Sequence, residues 1–350
     1  MFAKNNPKWD LPNVTWDILI GSDRITPDLF FEWIERMKIE VLFFNEQRNF
    51  EIIALTKKKY PRTLLGAYVD YYTEDLLQAF NLVDFVVCNT RRHYEAMEKH
   101  PQRFYLRWGT DVGLFKPTEE KDLNNEVTFF HSVGMAPRKG TDILLDAYIH
   151  GKLYEKSKLI IHTQIPLETV TNYSTEKLKP YPNIIVIEKT VPAPGLYSLG
   201  DVYVYPTRLD GLGLTMYESL ACGLPVITTN APPMNEIIDD NVGRLVDVER
   251  FYCRSDGYYW PLAKCDEESL IEAMNYYIEN PKAILMQRRE ARKRAETLYD
   301  WSKQTSEVNR VFESAKLLPY NEELVNRYLP APTQNVVKRI IKSIMRELRS

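Results

Sequence analysis

The sequence has no surplus of either charge: 45 Lys and Arg stand against 48 Asp and Glu, a net charge of −3 over 350 residues. That balance argues against a protein whose main partner is a nucleic-acid backbone. Cysteine is scarce, and Cys88, Cys222, Cys253 and Cys265 are scattered without a CxxC pair, which excludes a disulfide framework and a zinc site of ordinary spacing. A reducing cytoplasm is the expected home. No apolar run approaches the ~20 residues that cross a bilayer. Met1–Asp10 lack the apolar core of a signal peptide, so the Asn-x-Ser/Thr matches at Asn13 and Asn172 are expected to be chance. No fixed-period repeat is present. With 44% hydrophobic and 27% charged residues the composition is that of a folded globular chain, and its length suggests two domains.

From Trp16 to Thr110 short apolar runs alternate with helical spacing, the pattern of an α/β unit with a mostly parallel sheet. Val41–Phe44 and Phe85–Cys88 are predicted strands; Phe50–Tyr60, Thr73–Leu82 and Arg91–His100 are predicted helices, the last capped by Asn89-Thr90. Trp16–Ile20 is the one strand predicted before Val41. The polar run Lys116–Asp122, with Pro117, is the predicted linker. A second series follows: strands at Val127–Val133, Lys158–His162, Ile184–Ile187, Val202–Tyr205 and Pro225–Thr228, and helices at Thr141–Tyr148, Glu267–Ile278, Ala283–Leu298 and Trp301–Leu317. Such alternation predicts a doubly wound sheet whose ligand crevice lies at the carboxyl ends of the strands.

The most informative stretch runs from Tyr205 to Ile227. A strand ends near Tyr205, a turn carries Gly211 and Gly213, and a helix opens near Leu214. This geometry aims the amides of Gly213, Leu214 and Thr215 at whatever sits above the strand end, which suits a phosphate; the fragment alone also fits a tight connection with no ligand. Arg138 and Lys139 follow the strand that begins the second series, either as anion donors or as a solvated basic loop. His131, on that buried strand, is expected to pack rather than react.

Asp210–Glu218 resembles the E-x7-E motif of the retaining glycosyltransferases of family 4, with Asp in the first position, and Leu220–Ile227 is similar to that family's continuation. Val133–Asp142 resembles the family's strand end with its Arg, Lys and helix-starting Gly, and Trp108–Pro117 resembles the segment closing the amino-terminal domain. The resemblance covers roughly residues 80 to 315. It implies an α/β, GT-B architecture, two Rossmann-like domains facing a central cleft, with the amino-terminal one reduced. The expected layout is an acceptor-side domain over 1–117, a nucleotide-sugar-binding domain over 118–300, a helix crossing back over 301–330, and a basic amphipathic tail over 331–350.

The resemblance further implies transfer of a sugar from a nucleotide-sugar donor to a glycan or lipid-linked saccharide, with retention of configuration, in polysaccharide or glycoconjugate synthesis. Asp210, Lys139 and Arg138 are the implied catalytic residues; Gly134, Gly213, Leu214, Thr215 and Glu218 are the implied donor-binding residues, Asp210 on hydroxyls of the transferred sugar and Glu218 on the ribose. Two cations and a helix terminus supply positive charge to the leaving pyrophosphate, so no metal and no cofactor are expected, in keeping with the lack of an Asp-x-Asp motif after an early strand. The sequence departs from the family at Met135, where an Arg is usual, and near Asp70, where a His is usual. Tyr68 and Asp70 are the candidate replacements on the acceptor side, or a Tyr-rich strand end that simply packs. These departures keep open a catalytically silent nucleotide-sugar-binding subunit of the same fold.

In residues 336–350 five basic side chains face one Glu, and Val337, Ile341, Ile344 and Leu348 fall at helical spacing. This tail suits either peripheral contact with an anionic membrane on its cytoplasmic face or packing against protein. Asp247–Cys265, with Tyr258, Tyr259 and Trp260, is an aromatic insertion to which the sequence assigns no role.

Overall fold

A computed structural model describes residues 26–118 and 126–330, together with the backbone of 2–4 and 17–19. The tail at 336–350 and the linker residues 119–122 lie outside the described residues. At the amino terminus β1 (Phe2–Lys4) pairs in parallel with β2 (Asp17–Leu19), so the sequence reading found one of two strands there.

Two compact units emerge. The first gathers the described residues up to Tyr68, Gln78–Val86, and those from Ala315 on. In it β3 (Val41–Asn45) and β4 (Leu64–Tyr68) pair in parallel, and Gly66 and Ala67 pair with Phe85 and Val86 of β5 (Phe85–Cys88). Helix Pro27–Met37, which the sequence reading missed, opens on a Thr26 cap with Pro at its first position and buries Phe30, Phe31, Trp33 and Ile34. Helix Phe50–Lys59 is capped by Asn49. Asp84, fully buried, accepts from Lys57 Nζ at 2.6 Å, the Leu65 amide at 2.8 Å and the Leu318 amide at 2.9 Å, so one carboxylate joins a helix, a strand and the returning chain. The predicted helix at Thr73–Leu82 is a 3-10 segment, Glu74–Leu82.

The second unit holds Val69–Leu77 and Val87–Ser314. Helix Arg91–Ala96 starts on Thr90, and β6 (Arg103–Tyr105) follows. Then come β7 (Val127–Gly134), β8 (Ser157–Thr163), β9 (Ile184–Glu188), β10 (Val202–Tyr205), β11 (Val226–Thr229) and β12 (Gly243–Val246), all parallel, in the order β12-β11-β10-β7-β8-β9. That order is the doubly wound one. Period-2 alternation divides each strand between two cores: Phe129, Val133, Val202 and Val204 face helices Thr141–His150 and Glu267–Glu279, whereas Phe130, Tyr203 and Tyr205 face helices Leu214–Ala221 and Pro281–Leu298. An antiparallel hairpin, β13 (Val248–Tyr252) and β14 (Leu262–Cys265), extends beyond the sheet.

This grouping draws its line differently from a boundary at 117. Thr110 exchanges backbone hydrogen bonds with Tyr299 and Trp301, and Arg292 donates to the carbonyls of Val112 and Phe115, so the segment before the linker is bound to the unit that follows it. Helix Trp301–Ser314 stays with the second unit, and the chain rejoins the first from Ala315. No described helix is long and apolar enough to cross a membrane.

Candidate active site

In a sheet of this order the crevice opens where neighbouring strands send their connections to opposite sides, here above the ends of β7 and β10. Strand β7 ends on Gly134, in the left-handed region at φ +62°, with open space where a Cβ would stand. The loop beyond it closes on Gly140, at φ +79°, where a Cβ would come 2.1 Å from the Pro206 carbonyl oxygen. Only glycine permits that approach. The loop after β10 is bound to it: the Arg208 amide donates to the Arg138 carbonyl at 2.8 Å, and Arg208 forms a two-pronged pair with Asp142 at 2.9 and 2.6 Å.

Where the two loops meet, Lys139 Nζ lies 2.5 Å from Asp210 Oδ2, and Tyr205, at the end of β10, donates its hydroxyl to the same oxygen. The Gly213 amide donates to Asp210 Oδ1 at 3.1 Å. Burial alone would raise the Asp210 carboxyl, but Lys139, Tyr205 and the Gly213 amide together hold it at about 2. Burial lowers the Lys139 ammonium, against the pull of Asp210. The pair stands as an ionised couple of buried groups. Arg92 runs beneath it, 4% exposed, giving hydrogen bonds to the carbonyls of Asp210 and Pro232 and stacking over Trp260.

Beside Lys139 opens a cavity of about 310 Å³, walled by Gly134, Lys139, His162, Thr215, Glu218 and the loop Val191–Tyr197. Its floor is aromatic, with Tyr197 edge-on to both Phe115 and Phe130. Glu218, one turn into helix Leu214–Ala221, accepts from the Tyr197 hydroxyl at 2.5 Å. Burial raises its carboxyl, while Tyr197 and Lys139 oppose. The cavity thus brings together an ammonium, the first turn of a helix, a carboxylate and apolar rings.

Of the residues singled out in the sequence, Gly134, Lys139, Thr215 and Glu218 line this cavity; Arg138, Asp210, Gly213, Leu214, Tyr68 and Asp70 do not, Asp210 meeting it only through its pair with Lys139. The Gly213 amide is not free for a ligand, because Asp210 takes it. Arg138 is exposed and turns its Nε to the Leu209 carbonyl at 3.1 Å. Met135 is 65% exposed and is not part of the wall. His131 is structural, buried between the Val204 carbonyl and the Thr141 hydroxyl, and burial pulls its imidazole down to about 4. Tyr68 is buried and groups with the first unit; Asp70 groups with the second, half-buried against Gly211. Tyr197 and the Pro192–Gly195 loop went unread: Tyr197 meets Glu218 from 21 positions away, so no local pattern marks it. Among the described residues no group of three His, Cys, Asp or Glu side chains is placed to hold a metal ion.

The profile of the family described as glycosyl transferases group 1 matches residues 115–296. An uncharacterized glycosyltransferase of Sulfolobus islandicus rod-shaped virus 1 is 25% identical over 168 residues, 47% of this chain and 50% of that one. The putative glycosyltransferase YtcC of Bacillus subtilis is 28% identical over 160 residues, 45% of this chain and 35% of that one. The match thus spans half or less of these relatives' length. Among solved structures, Anabaena Alr3699/HepE in complex with UDP and glucose superposes with a TM-score of 0.66 at 15% identity, over 86% of each chain. That likeness shows the fold, which is GT-B.

Proposed function

The chain belongs to the glycosyl transferases group 1 family, and on that premise we propose that it is a glycosyltransferase taking its sugar from a nucleotide-sugar donor. The observation that carries the reading is the cavity at the β7–β10 switch point, whose wall holds both the Lys139 ammonium and the Glu218 carboxylate. The nucleoside stands against Tyr197 and the Val191–Leu196 loop, the ribose hydroxyls on Glu218, and the pyrophosphate between Gly134, Lys139 and Thr215 in the first turn of helix Leu214–Ala221. Lys139 has three N–H donors, of which Tyr205 and Asp210 take two, leaving one for a phosphate oxygen. As the glycosidic bond breaks, negative charge grows on that phosphate. A preorganised donor aimed at such charge is worth about 2.7–4 kcal/mol. With Lys139 and a helix terminus supplying positive charge, the reading includes no resident metal or cofactor.

The acceptor is a hydroxyl of a glycan or lipid-linked saccharide, in polysaccharide or glycoconjugate synthesis, and the configuration is retained through front-side displacement in which a donor phosphate oxygen takes the acceptor proton. The UDP and glucose held by the Anabaena neighbour make UDP-sugars the first donors to test. Met135, exposed and away from the cavity where the family usually has an Arg, favours one second reading: a silent subunit that binds the donor without turning it over.

One experiment separates the two. The protein is incubated with UDP- and GDP-sugars, and release of nucleoside diphosphate is followed. Turnover that disappears in Lys139→Ala and Glu218→Ala is the expected outcome; binding of the nucleotide without release on any acceptor sinks the enzyme reading. Anomeric assignment of the product by NMR tests retention.

A further inference from the structure

Three buried tyrosines form a continuous stack in the core cluster that Phe130 shares with the cavity wall. Tyr203 and Tyr205 lie two positions apart on β10, so their side chains fall on one face of the sheet, and their rings stack with centroids 5.6 Å apart and planes 19° from parallel. Tyr197, in the short 3-10 segment Tyr197–Leu199, meets Tyr203 edge-on at 5.7 Å. Phe130 packs on both Tyr197 and Tyr203, at 5.6 and 6.0 Å. The Thr228 hydroxyl of β11 donates to the Tyr205 carbonyl at 2.8 Å and so ties the end of β10 to its neighbour. None of the three tyrosines is more than 5% exposed, and close packing holds such rings in one arrangement.

The two ends of this ladder carry hydroxyls with different partners. At one end the Tyr205 hydroxyl donates to Asp210 Oδ2 and accepts from Lys139 Nζ, which also stands 4.8 Å from the Tyr205 ring centroid. At the other the Tyr197 hydroxyl donates to Glu218 Oε2 at 2.5 Å. Burial pushes both phenols well above their ordinary range, so each keeps its proton and remains a donor to its carboxylate. A lysine ammonium on its flexible stem swivels about a single contact, whereas a second contact to an immobile ring fixes the direction of the N–H left over. Glu218 is turned in the same way: Tyr197 occupies Oε2, and among the described residues Oε1 has no hydrogen-bond partner.

We propose that the ladder positions the donor-binding groups separately, Tyr205 orienting the Lys139 ammonium toward the diphosphate and Tyr197 orienting the Glu218 carboxylate toward the ribose, with Tyr203 as the ring that spaces them. This rests on the nucleotide-sugar reading above. Both are positioning residues: Tyr205 acts through Lys139, and the Tyr197 hydroxyl acts through Glu218, although the Tyr197 ring is also part of the wall. One hydroxyl thus serves the phosphates and the other the nucleoside. Removing them one at a time produces opposite losses, which a general loosening of the core does not imitate.

The test compares UDP with uridine by calorimetry and competition, with GDP and guanosine alongside. Tyr205→Phe keeps the ring and removes only the hydroxyl; it should lower the advantage of UDP over uridine about tenfold and leave uridine affinity within about twofold. Tyr197→Phe should do the reverse, weakening uridine and UDP alike by about fivefold or more, so that their ratio stays within about twofold. Thermal midpoints are measured beside the affinities, because tyrosines with a packing role alone would lower the midpoint and leave the ratio unchanged in both variants. An unchanged ratio in Tyr205→Phe, or an unchanged uridine affinity in Tyr197→Phe, overturns the proposal while leaving the donor reading intact. No binding of any nucleoside diphosphate to the unsubstituted protein overturns the donor reading, and the proposal with it.

Discussion

Lys139 and Asp210, 71 residues apart, form an ion pair of 2.5 Å with side chains only 15% and 11% exposed, and so join the loop after β7 to the loop after β10. A buried pair is costly to break from one side, because the abandoned charge keeps its desolvation penalty. Lys139→Met should therefore destabilise the fold by about 3–5 kcal/mol. The double variant Lys139→Met/Asp210→Leu should recover much of that loss without recovering donor binding. Chemical denaturation of four proteins, the unsubstituted chain, Lys139→Met, Asp210→Leu and the double variant, measures the coupling; additive losses would contradict it.

The same pair sets an acid limit. Asp210 is held at about 2 against an ordinary 3.8, so its contribution is complete above 3.8 and is lost as pH falls toward 2. Its size is about 2 kcal/mol. Relative to Asp210→Asn, the unsubstituted chain should lose its stability advantage across that window, read from denaturation midpoints at a series of pH values.

Glu218 titrates above the ordinary carboxylate range because of its burial, while Tyr197 lowers it. A protonated carboxyl accepts hydroxyl hydrogen bonds poorly, so nucleotide affinity should fall on mild acidification. In Tyr197→Phe the midpoint of that fall should move to higher pH. Glu218→Gln should remove the pH dependence and weaken UDP about tenfold or more, the worth of a charge-assisted hydrogen bond. Calorimetry across pH reads both.

Two glycines separate stability from binding. Gly140→Ala forces a Cβ to 2.1 Å from the Pro206 carbonyl at a positive φ, and should cost about 3 kcal/mol or more. Gly134→Ala meets no atom within 4 Å and carries only left-handed strain, about 1–2 kcal/mol, but its methyl enters the cavity. Thermal melts should separate the first from the second, and UDP titration should show the second weakened.

The legible parts of the sequence were those where a local rule governs. Phe85–Cys88 and Val202–Tyr205 are strands with the predicted bounds because central parallel strands are buried on both faces and leave continuous apolar runs. Helix Leu214–Ala221 begins at its predicted residue because Gly213 marks the turn into it. Strand β12, with Gly243 and Arg244 in its four residues, carries no such run, and its place comes from pairing with β11. Helix Pro27–Met37 opens on the start signal Thr26-Pro27, but its buried residues Phe30, Phe31, Trp33 and Ile34 crowd into five positions and do not repeat along the helix, so its periodic signal is weak.

The sequence by itself determined the doubly wound character of the second unit and the glycine turn that opens helix Leu214–Ala221, since periodicity and turn chemistry act over a few residues, while Lys139, Asp210 and Glu218 are singled out by resemblance to a family. Tertiary structure alone decided how those groups are placed. Pairing of Asp210 with Lys139, Tyr205 and the Gly213 amide, capture of Glu218 by Tyr197, and the approach of Asp70, bonded to Tyr258, to Gly211 join residues up to 188 positions apart. Such pairings follow from the register of a packed sheet and the loops it brings together, and no pattern along the chain encodes them.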